Sequence, residues 1–581
     1  MYLVAPRHQL QTDLDDASSQ DLKIEGLARL DNRSELGSSL GISDAALNTL
    51  VDTALILEAY RKWEEACVDH LLGDFAFSII DSASGDLFCA RDHLGIAPFY
   101  YFLSEQHFIF ADNIRQLIAD QLVPAVLDDN AVCCYLRDGE FYHREKTFYR
   151  HIKKLPPGHV MKIESAESFS YPYWSLENCG AVSSVSQQSH QECSDQLRKL
   201  MVQAIATRIP EKKPFGLHLS GGLDSSGIAA ICRTDLKNEP PNVHAYTWNF
   251  QARDEREQSL DEVSSVVSVA EHLELPLHYS SMSVEQLHAL LCTRNIALGD
   301  TTDCWSEWSV RDRAIGDGVT TILSGWGGDQ FISHHGTHRY AELVTAGKPV
   351  QSLLEIWRAV KPSRRPLRRF FSVTRRLVLS PIFTALFRRV PSRSSYLMAA
   401  RPEIQALATE LPSEIEGNIT LSIRGDQLDA GNNLHLLNRV ESWSAACEGK
   451  NLSYTYPLLD KRVVEFAVGM ASQHYCSNGV TRYSFREAIK DLLPEEIVYS
   501  TSKFEPRRAQ RDLSMCIAAI DQWKKGRSEA KEINRFIDDE KLHRLIDELP
   551  RESNRLDDDI VERVGVIIRS IFVINLCEQA P

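Results

Sequence analysis

The chain reads as two folds in series. Residues 1–172 are expected to form an α+β domain built on antiparallel strands, and residues 195–581 an α/β domain with a parallel sheet and a helical C-terminal part. Three observations predict this. The first third carries short period-2 apolar runs separated by tight turns, the pattern of antiparallel strands. From Phe215 onward, apolar runs alternate with helical patterns, which favours parallel strands joined by right-handed crossovers. Between the two, residues 175–194 are rich in Ser, Gln and Asn and lack an apolar period, so 173–194 reads as a linker. A length of 581 residues also exceeds what one core can organise.

Charge and cysteine usage narrow the function. A net charge of −16 argues against nucleic acid as the main partner. The thirteen cysteines contain no CxxC, and the one close pair is Cys133-Cys134. Free thiols in a reducing compartment are expected, with no zinc site and no disulfide framework. No signal peptide opens the chain, and no apolar run reaches the roughly 18–20 residues that span a bilayer. A cytoplasmic protein without a membrane span is the expectation.

In the first domain, Leu27 to Leu36 is a strand-turn-helix pattern. Asp52 to Trp63 has helical spacing at Leu55, Ala59, Tyr60 and Trp63, with Asp52 as its cap. Two strands, Leu72 to Ile80 and Gly85 to Arg91, are joined by a Ser/Gly turn. The turn Asp92-His-Leu-Gly95 leads into Pro98 to Phe102, and His107 to Ala111 follows. The stretch GDFAFSIID…GDLFCARDHLGIAPFYY is similar to the N-terminal glutaminase domain of asparagine synthetases, which has an N-terminal-nucleophile fold. In that family the catalytic cysteine follows the initiator methionine, and the freed α-amine is the base. Here residue 2 is Tyr, which should also keep Met1 in place. The first cysteine is Cys67, inside a helical pattern, and the glutamine-binding Asn-Gly-Glu segment is missing. The resemblance therefore implies a degenerate glutaminase-like domain without glutaminase activity. Arg91-Asp92 and Gly95 are then fold residues, an ion pair and a turn.

In the second domain, Phe215 to Leu219 is a short apolar strand. Ser220, Gly221 and Gly222 form a side-chain-poor turn, and Asp224, Ser225 and Ser226 open a helix. Strand, glycine turn and helix make an anion cradle, because glycines let backbone N–H groups approach and the helix N-terminus adds positive partial charge. No GxxxxGK[ST] is present, which separates this loop from the P-loop. It resembles the PP-loop of ATP pyrophosphatases, signature SGGxDS. The resemblance implies that ATP is cut between its α- and β-phosphates and a carboxylate becomes an acyl-adenylate. It assigns nucleotide binding to Ser220, Gly221, Gly222, Leu223, Asp224, Ser225 and Ser226. Further strands are expected at Val243 to Phe250 and Pro276 to Tyr279, with a helix between them from Asp261 to Leu273. Ligand should lie beyond the C-terminal ends of the strands.

A β-branched strand from Gly318 runs into a second glycine turn, Ser324-Gly-Trp-Gly-Gly-Asp329. Gly325 and Gly327 join the nucleotide site. Two strand-end turns that each deliver an aspartate, Asp224 and Asp329, suit Mg²⁺, which prefers carboxylate and phosphate oxygens. The alternative is that Asp329 caps the next helix. His334 and His335 read as surface or hydrogen-bonded histidines rather than catalytic ones. Residues 340–425 carry a basic run in an acidic chain. A solvated helical face, a contact surface for an acidic peptide or partner, and a membrane-surface contact all stay open.

Arg439 to Trp443, Tyr456 to Phe466 with Asp460 as a helix cap, Gly479 to Ala488, and Leu493 to Lys503 match the asparagine synthetase C-terminal region. The resemblance gives Lys503 the role of the lysine that reaches the α-phosphate and the tetrahedral intermediate, a fixed cation where charge develops. Asp224, Asp329 and Lys503 are thus the catalytic candidates, with ATP and Mg²⁺ as cofactors.

Within the family, Trp326 stands where asparagine synthetases carry a glutamate. The chain looks most similar to lasso-peptide macrocyclases, which activate an Asp or Glu side chain of a leader-cleaved peptide and join it to the peptide's N-terminal amine. A leader peptidase is the implied partner. Trp326 suits packing against a peptide or against the core. Asparagine synthetase, a β-lactam synthetase-like cyclase and a non-catalytic scaffold are the alternatives; the Tyr–Glu base pair of the second cannot be placed in the sequence. Glu307 and Glu441 are the candidates for a general base.

Overall fold

A computed structural model describes residues 2–4, 22–139, 143–164, 167–179, 188–211, 213–236, 242–248, 261–293, 306–387, 397–411, 420–432, 434–500, 506–527, 534–550 and 557–579. The N-terminal strands are β1 (Tyr2–Val4), β2 (Leu22–Leu30), β3 (Gly73–Asp81), β4 (Leu87–Arg91), β5 (Tyr100–Leu103), β6 (Phe108–Ala111), β7 (Ile152–Lys154), β8 (His159–Glu164) and β9 (Glu167–Pro172). They form two antiparallel sheets, ordered β2-β3-β4-β8-β9 and β1-β6-β5-β7.

The period-2 pattern explains the stacking. On β4, Leu87 and Cys89 join Phe99, Phe108, Phe110 and Met161 in one apolar cluster. Phe88 and Ala90, pointing the other way, join Phe75, Phe77 and the helical residues Leu55, Ile56 and Ala59. The helices on that outer face are α1 (Arg33–Leu40) and α2 (Asp52–Trp63). The predicted cap is displaced by one residue: Val51 is the N-cap and makes no side-chain cap bond. Asp52 instead accepts from the Leu30 backbone N–H at 2.9 Å and pairs with Arg33. It ties helix to strand rather than closing the helix end. A third helix, α3 (Asp129–Asp138), is capped by Asp128.

Beyond this domain, α4 (His190–Ala206) begins with a capping box in which Ser189 and Glu192 exchange bonds. It therefore starts inside the stretch read as linker. Trp174 is also pinned, its indole N–H donating to Glu465 at 2.8 Å.

The sheet of the second domain is parallel throughout. It orders β12 (Leu277–Tyr279), β11 (Val243–Thr247), β10 (Phe215–His218), β13 (Thr321–Leu323) and β14 (Ser453–Thr455) side by side. Alternate residues cover opposite faces. Ala245 and Leu323 enter the cluster that holds α5 (Leu223–Thr234) and α6 (Asp261–His272). Tyr246 and Ile322 pack with Val310 and Ala314 of α7 (Ser306–Gly316). Next come α8 (Pro349–Val360), α9 (Pro366–Thr374) and α10 (Ser380–Phe387), then α11 (Leu434–Ala446) and α12 (Lys461–Gly469). Asp460 caps α12 as predicted, accepting from the Arg462 N–H at 2.9 Å. The last two long helices, α13 (Pro506–Gly526) and α14 (Asp558–Gln579), share one apolar cluster with β5, β6 and α3. The C-terminus thus completes the core of the N-terminal domain.

A buried ion cluster joins the two domains. Arg91 does not pair with Asp92. Its guanidinium donates to the carbonyls of Gly95, Ala97 and Leu155 and to Glu441 Oε1 at 3.1 Å. Lys154 reaches Glu441 Oε2 at 3.0 Å. Asp92 makes the turn instead, accepting from the N–H groups of Leu94, Ile96 and Ala97. All twelve described cysteines are free. Among the described residues, no helix is long and apolar enough to cross a membrane.

Candidate active site

Parallel strands end on one side, and the loops beyond β10, β13 and β14 meet there. The first is the predicted anion cradle. Gly221 turns with a φ of 72°, and Gly222 is the N-cap of α5. Inside the turn, the Ser225 hydroxyl accepts from the Ser220 N–H at 3.2 Å and lies 3.0 Å from the Ser220 hydroxyl. Ser220 Oγ in turn accepts from the Gly222 N–H at 3.3 Å. Leu223 and Ser226 are buried, and the Ser226 hydroxyl has no hydrogen-bond partner among the described residues.

The second loop is pressed against the first. A Cβ on Gly325 would stand 3.0 Å from the Ser225 nitrogen, and one on Gly328 would stand 2.8 Å from the Asp224 carboxylate. A Cβ on Gly327 would overlap Leu459 at 2.2 Å, and its φ is 91°. Glycine at these positions is a requirement of close approach, which brings Asp329 beside Asp224. Arg482 sits against both: Nη2 is 2.5 Å from Asp329 Oδ1 and Nη1 is 3.5 Å from Asp224 Oδ2. Backbone N–H groups, two carboxylates and a guanidinium around one cradle fit a polyphosphate and a hard divalent cation. Asp329 lies in turn backbone and caps no helix.

A cavity of about 370 Å³ opens between these loops. Ser220, Gly222, Asp224, Ser225, Gly325 and Asp329 line one part of it. Trp248, Trp326, Arg439 and Trp443 line another, with the Arg439 guanidinium 4.5 Å from the Trp326 ring centre. Trp326 is thus in the cavity wall and also packs on the core.

The remaining wall holds a buried carboxylate. Glu307 Oε1 lies 2.8 Å from His218 Nε2 and accepts from the Tyr454 hydroxyl at 2.5 Å. A carboxylate in this range accepts only, so His218 carries its proton on Nε2. His218 Nδ1 has no hydrogen-bond partner among the described residues. Burial alone would raise the Glu307 pKa, but His218, Arg311 and the Tyr454 hydrogen bond outweigh it and hold the carboxyl below its ordinary range. Burial, with the Glu307 charge, pushes the Tyr454 phenol well above its own.

Sequence reasoning placed the cradle and both aspartates but missed three groups. Arg482 carries no local signature. His218 ends a strand just before the cradle, a position where ligands gather in such sheets. Tyr454 stands 147 residues from Glu307, on a three-residue strand too short to show a period. The two base candidates separate: Glu307 is in the cavity and Glu441 is in the domain interface. Lys503 lies outside the described residues. His334 is away from the cavity lining; its Nε2 is 2.8 Å from Asp426, and its Nδ1 accepts from the Gly336 N–H.

Fold and site together define a nucleotide-handling α/β synthetase of the PP-loop type. The profile of the asparagine synthase family matches residues 196–563, and that of the glutamine amidotransferase domain matches residues 28–174. The chain belongs to the asparagine synthase family, whose members are ATP-dependent C–N ligases. It is 24% identical over 514 residues to asparagine synthetase [glutamine-hydrolyzing] 3 of Bacillus subtilis, covering 85% of this chain and 75% of that one. It is 27% identical over 299 residues to a putative asparagine synthetase [glutamine-hydrolyzing] 2 of Methanocaldococcus jannaschii, covering 50% and 55%. It is 25% identical over 305 residues to amidase chyE of Penicillium rubens, covering 51% and 44%. The chain thus spans about half the length of the latter two. A solved glutamine phosphoribosylpyrophosphate amidotransferase from B. subtilis aligns at 12% identity and a TM-score of 0.18, over 58% of this chain and 60% of that one, too low to carry any argument.

Proposed function

We propose that this enzyme adenylates a peptide carboxylate and joins it to an amine of the same peptide, as lasso-peptide macrocyclases do. The observation that carries the reading is the aromatic wall at Trp326, with Arg439 and Trp443 beside it, where asparagine synthetases hold a glutamate. Such a wall suits a peptide better than aspartate and ammonia.

In the first step a carboxylate oxygen attacks the α-phosphorus and pyrophosphate leaves. The cradle from Ser220 to Ser226 receives the departing phosphates, and Gly325 and Gly327 shape its far side. Mg²⁺ held by Asp224 and Asp329 would neutralise charge on the phosphate oxygens. Arg482 positions the two carboxylates, and Lys503 is assigned to the α-phosphate. In the second step the amine nitrogen attacks the acyl carbon and AMP leaves. Its proton passes to His218 Nδ1, with Glu307 orienting the ring and stabilising the imidazolium. Holding the amine beside the adenylate and excluding water supply much of the rate.

The N-terminal domain supports an internal amine. Cys67 and Cys89 are sealed in its core, and burial pushes both thiols up to about 12, so neither serves as a glutaminase nucleophile. We assign residues 1–172 to this degenerate domain, 173–194 to the connection and 195–581 to the synthetase. The relatives named asparagine synthetase favour a second reading, aspartate with ammonia. Product analysis separates the two. With Mg-ATP and a leader-cleaved peptide bearing a free N-terminus and an internal Asp or Glu, the enzyme should release AMP and pyrophosphate while the peptide loses one water. Turnover with aspartate and ammonia alone would replace the first reading by the second.

A further inference from the structure

One cation in the cavity wall has covered faces and open edges. α11 carries Arg439 and Trp443 four residues apart, so both side chains project from the same side of the helix. Trp326 comes from the second glycine turn. The Arg439 guanidinium lies 4.5 Å from the Trp326 ring centre and 5.6 Å from that of Trp443, and all three residues line the cavity. Aromatic rings take the faces of a guanidinium and leave the N–H groups in its plane unused. Among the described residues, no carboxylate pairs with Arg439 and no acceptor takes its N–H groups; Nε is buried without a partner.

Three other arginines show the usual arrangement. Arg208 meets Asp460 at 2.9 Å and Asp31 at 3.2 Å, Arg339 meets Glu355 at 2.7 Å, and Arg482 meets Asp329 at 2.5 Å. A cation at a cavity wall with no protein anion is matched by what enters the cavity. Two anionic groups enter this one. The polyphosphate is assigned to the cradle and its aspartates, which line the other part of the cavity. The base and ribose of the nucleotide carry no charge. The carboxylate of the acyl substrate remains, and the edge of a guanidinium suits it, with N–H groups in a matching plane. Trp326 keeps that edge open. A glutamate there, as asparagine synthetases carry, would supply a carboxylate from the protein itself.

We propose that Arg439 binds the carboxylate that is adenylated. The inference rests on the adenylating reading of this cavity and holds whether or not the acyl chain is a peptide. Arg439 donates to one carboxylate oxygen, and the other attacks the α-phosphorus. The new O–P bond forms as the bond to the β-phosphate breaks, the electron pair leaves on pyrophosphate, and no proton moves. The two indoles hold the plane of the guanidinium, so the carboxylate is presented in one orientation. They also keep water from the ion pair, which strengthens it.

ATP–pyrophosphate exchange by the full chain tests this, with three carboxylates in turn: the leader-cleaved peptide, aspartate, and N-acetylaspartic acid α-amide, which has a side-chain carboxylate and no amine. Arg439→Met should raise the KM of the carboxylate that drives exchange about 10²-fold, while the KM of ATP changes by less than about twofold. Millimolar guanidinium should restore exchange to Arg439→Ala and ammonium should not, a rescue that a misfolded variant would not show. Trp326→Glu, which gives Arg439 an internal partner, should raise the same KM. Exchange driven by aspartate alone would displace the peptide reading; this proposal would stand if the Arg439 effect then fell on the KM of aspartate. A rise in the KM of ATP instead would overturn the proposal in favour of a nucleotide contact. An unchanged carboxylate KM, no rescue by guanidinium, or no exchange in wild type with any of the three carboxylates would overturn it outright.

Discussion

Two buried glutamates, one in each key region, show how the same side chain serves structure or chemistry. Glu441 lies at the domain interface between Arg91 and Lys154, two cations held in fixed places. Glu307 lies in the cavity wall against the His218 ring and the Tyr454 hydroxyl. Both carboxyls are held below their ordinary range although burial opposes it, by the charges of Lys154 and Arg91 in one case and by His218 and Arg311 in the other. The difference lies in what the partners can still do. Arginine and lysine saturate Glu441 and seal the contact. Histidine leaves Glu307 joined to a ring whose second nitrogen has no hydrogen-bond partner among the described residues. A buried carboxylate is a candidate site when its partner lines a cavity and keeps an unused valence.

Exchanging the two roles is the most direct way to break this comparison. Glu307→Gln should lower amide formation by about 10²–10⁴-fold while ATP–pyrophosphate exchange persists, because only the second step needs the proton acceptor. Loss of both activities together would place Glu307 in adenylation instead. Glu441→Ala should do the reverse. It leaves two buried cations without their carboxylate and should cost about 3–5 kcal/mol of stability in urea unfolding, with turnover per folded molecule unchanged. The Glu441 effect also has a pH window. A depressed folded pKa gives stability that is fully present above the ordinary carboxylate value of 4.5 and lost as pH falls through the folded value. Wild type should therefore lose stability more steeply than Glu441→Gln in acid below about pH 4.5, seen in thermal midpoints. The smallest effect should come from Cys67→Ala in the N-terminal domain. A loss of about 1 kcal/mol and no change in turnover are expected, whereas a fall in turnover would restore a catalytic thiol to that domain.

Local pattern carried most of the fold. Phe75, Phe77 and Ile79 announced β3 by alternation, and the glycine turn after Phe215 announced the cradle, because both signals sit within a few residues. What failed was side-chain partnership. Asp52 looked like a cap and binds a strand; Arg91 looked like the partner of Asp92 and crosses 350 residues to Glu441. The Glu307–His218–Tyr454 group is assembled from three separate elements, a helix and two strands, so no spacing in the sequence could reveal it. Lys503 rests on resemblance alone.

The interface cluster has a consequence for synthesis on the ribosome. Lys154 emerges 287 residues before the carboxylate that neutralises it. At about 5–20 residues per second, that interval is roughly 15–60 s. Throughout it, the nascent N-terminal domain holds Arg91 and Lys154 without Glu441, and it lacks α13 and α14, which complete its apolar cluster. Of the two domains, the one that leaves the exit tunnel earlier therefore becomes stable only when the later one is made, and chaperone demand should fall on that earlier part of the chain.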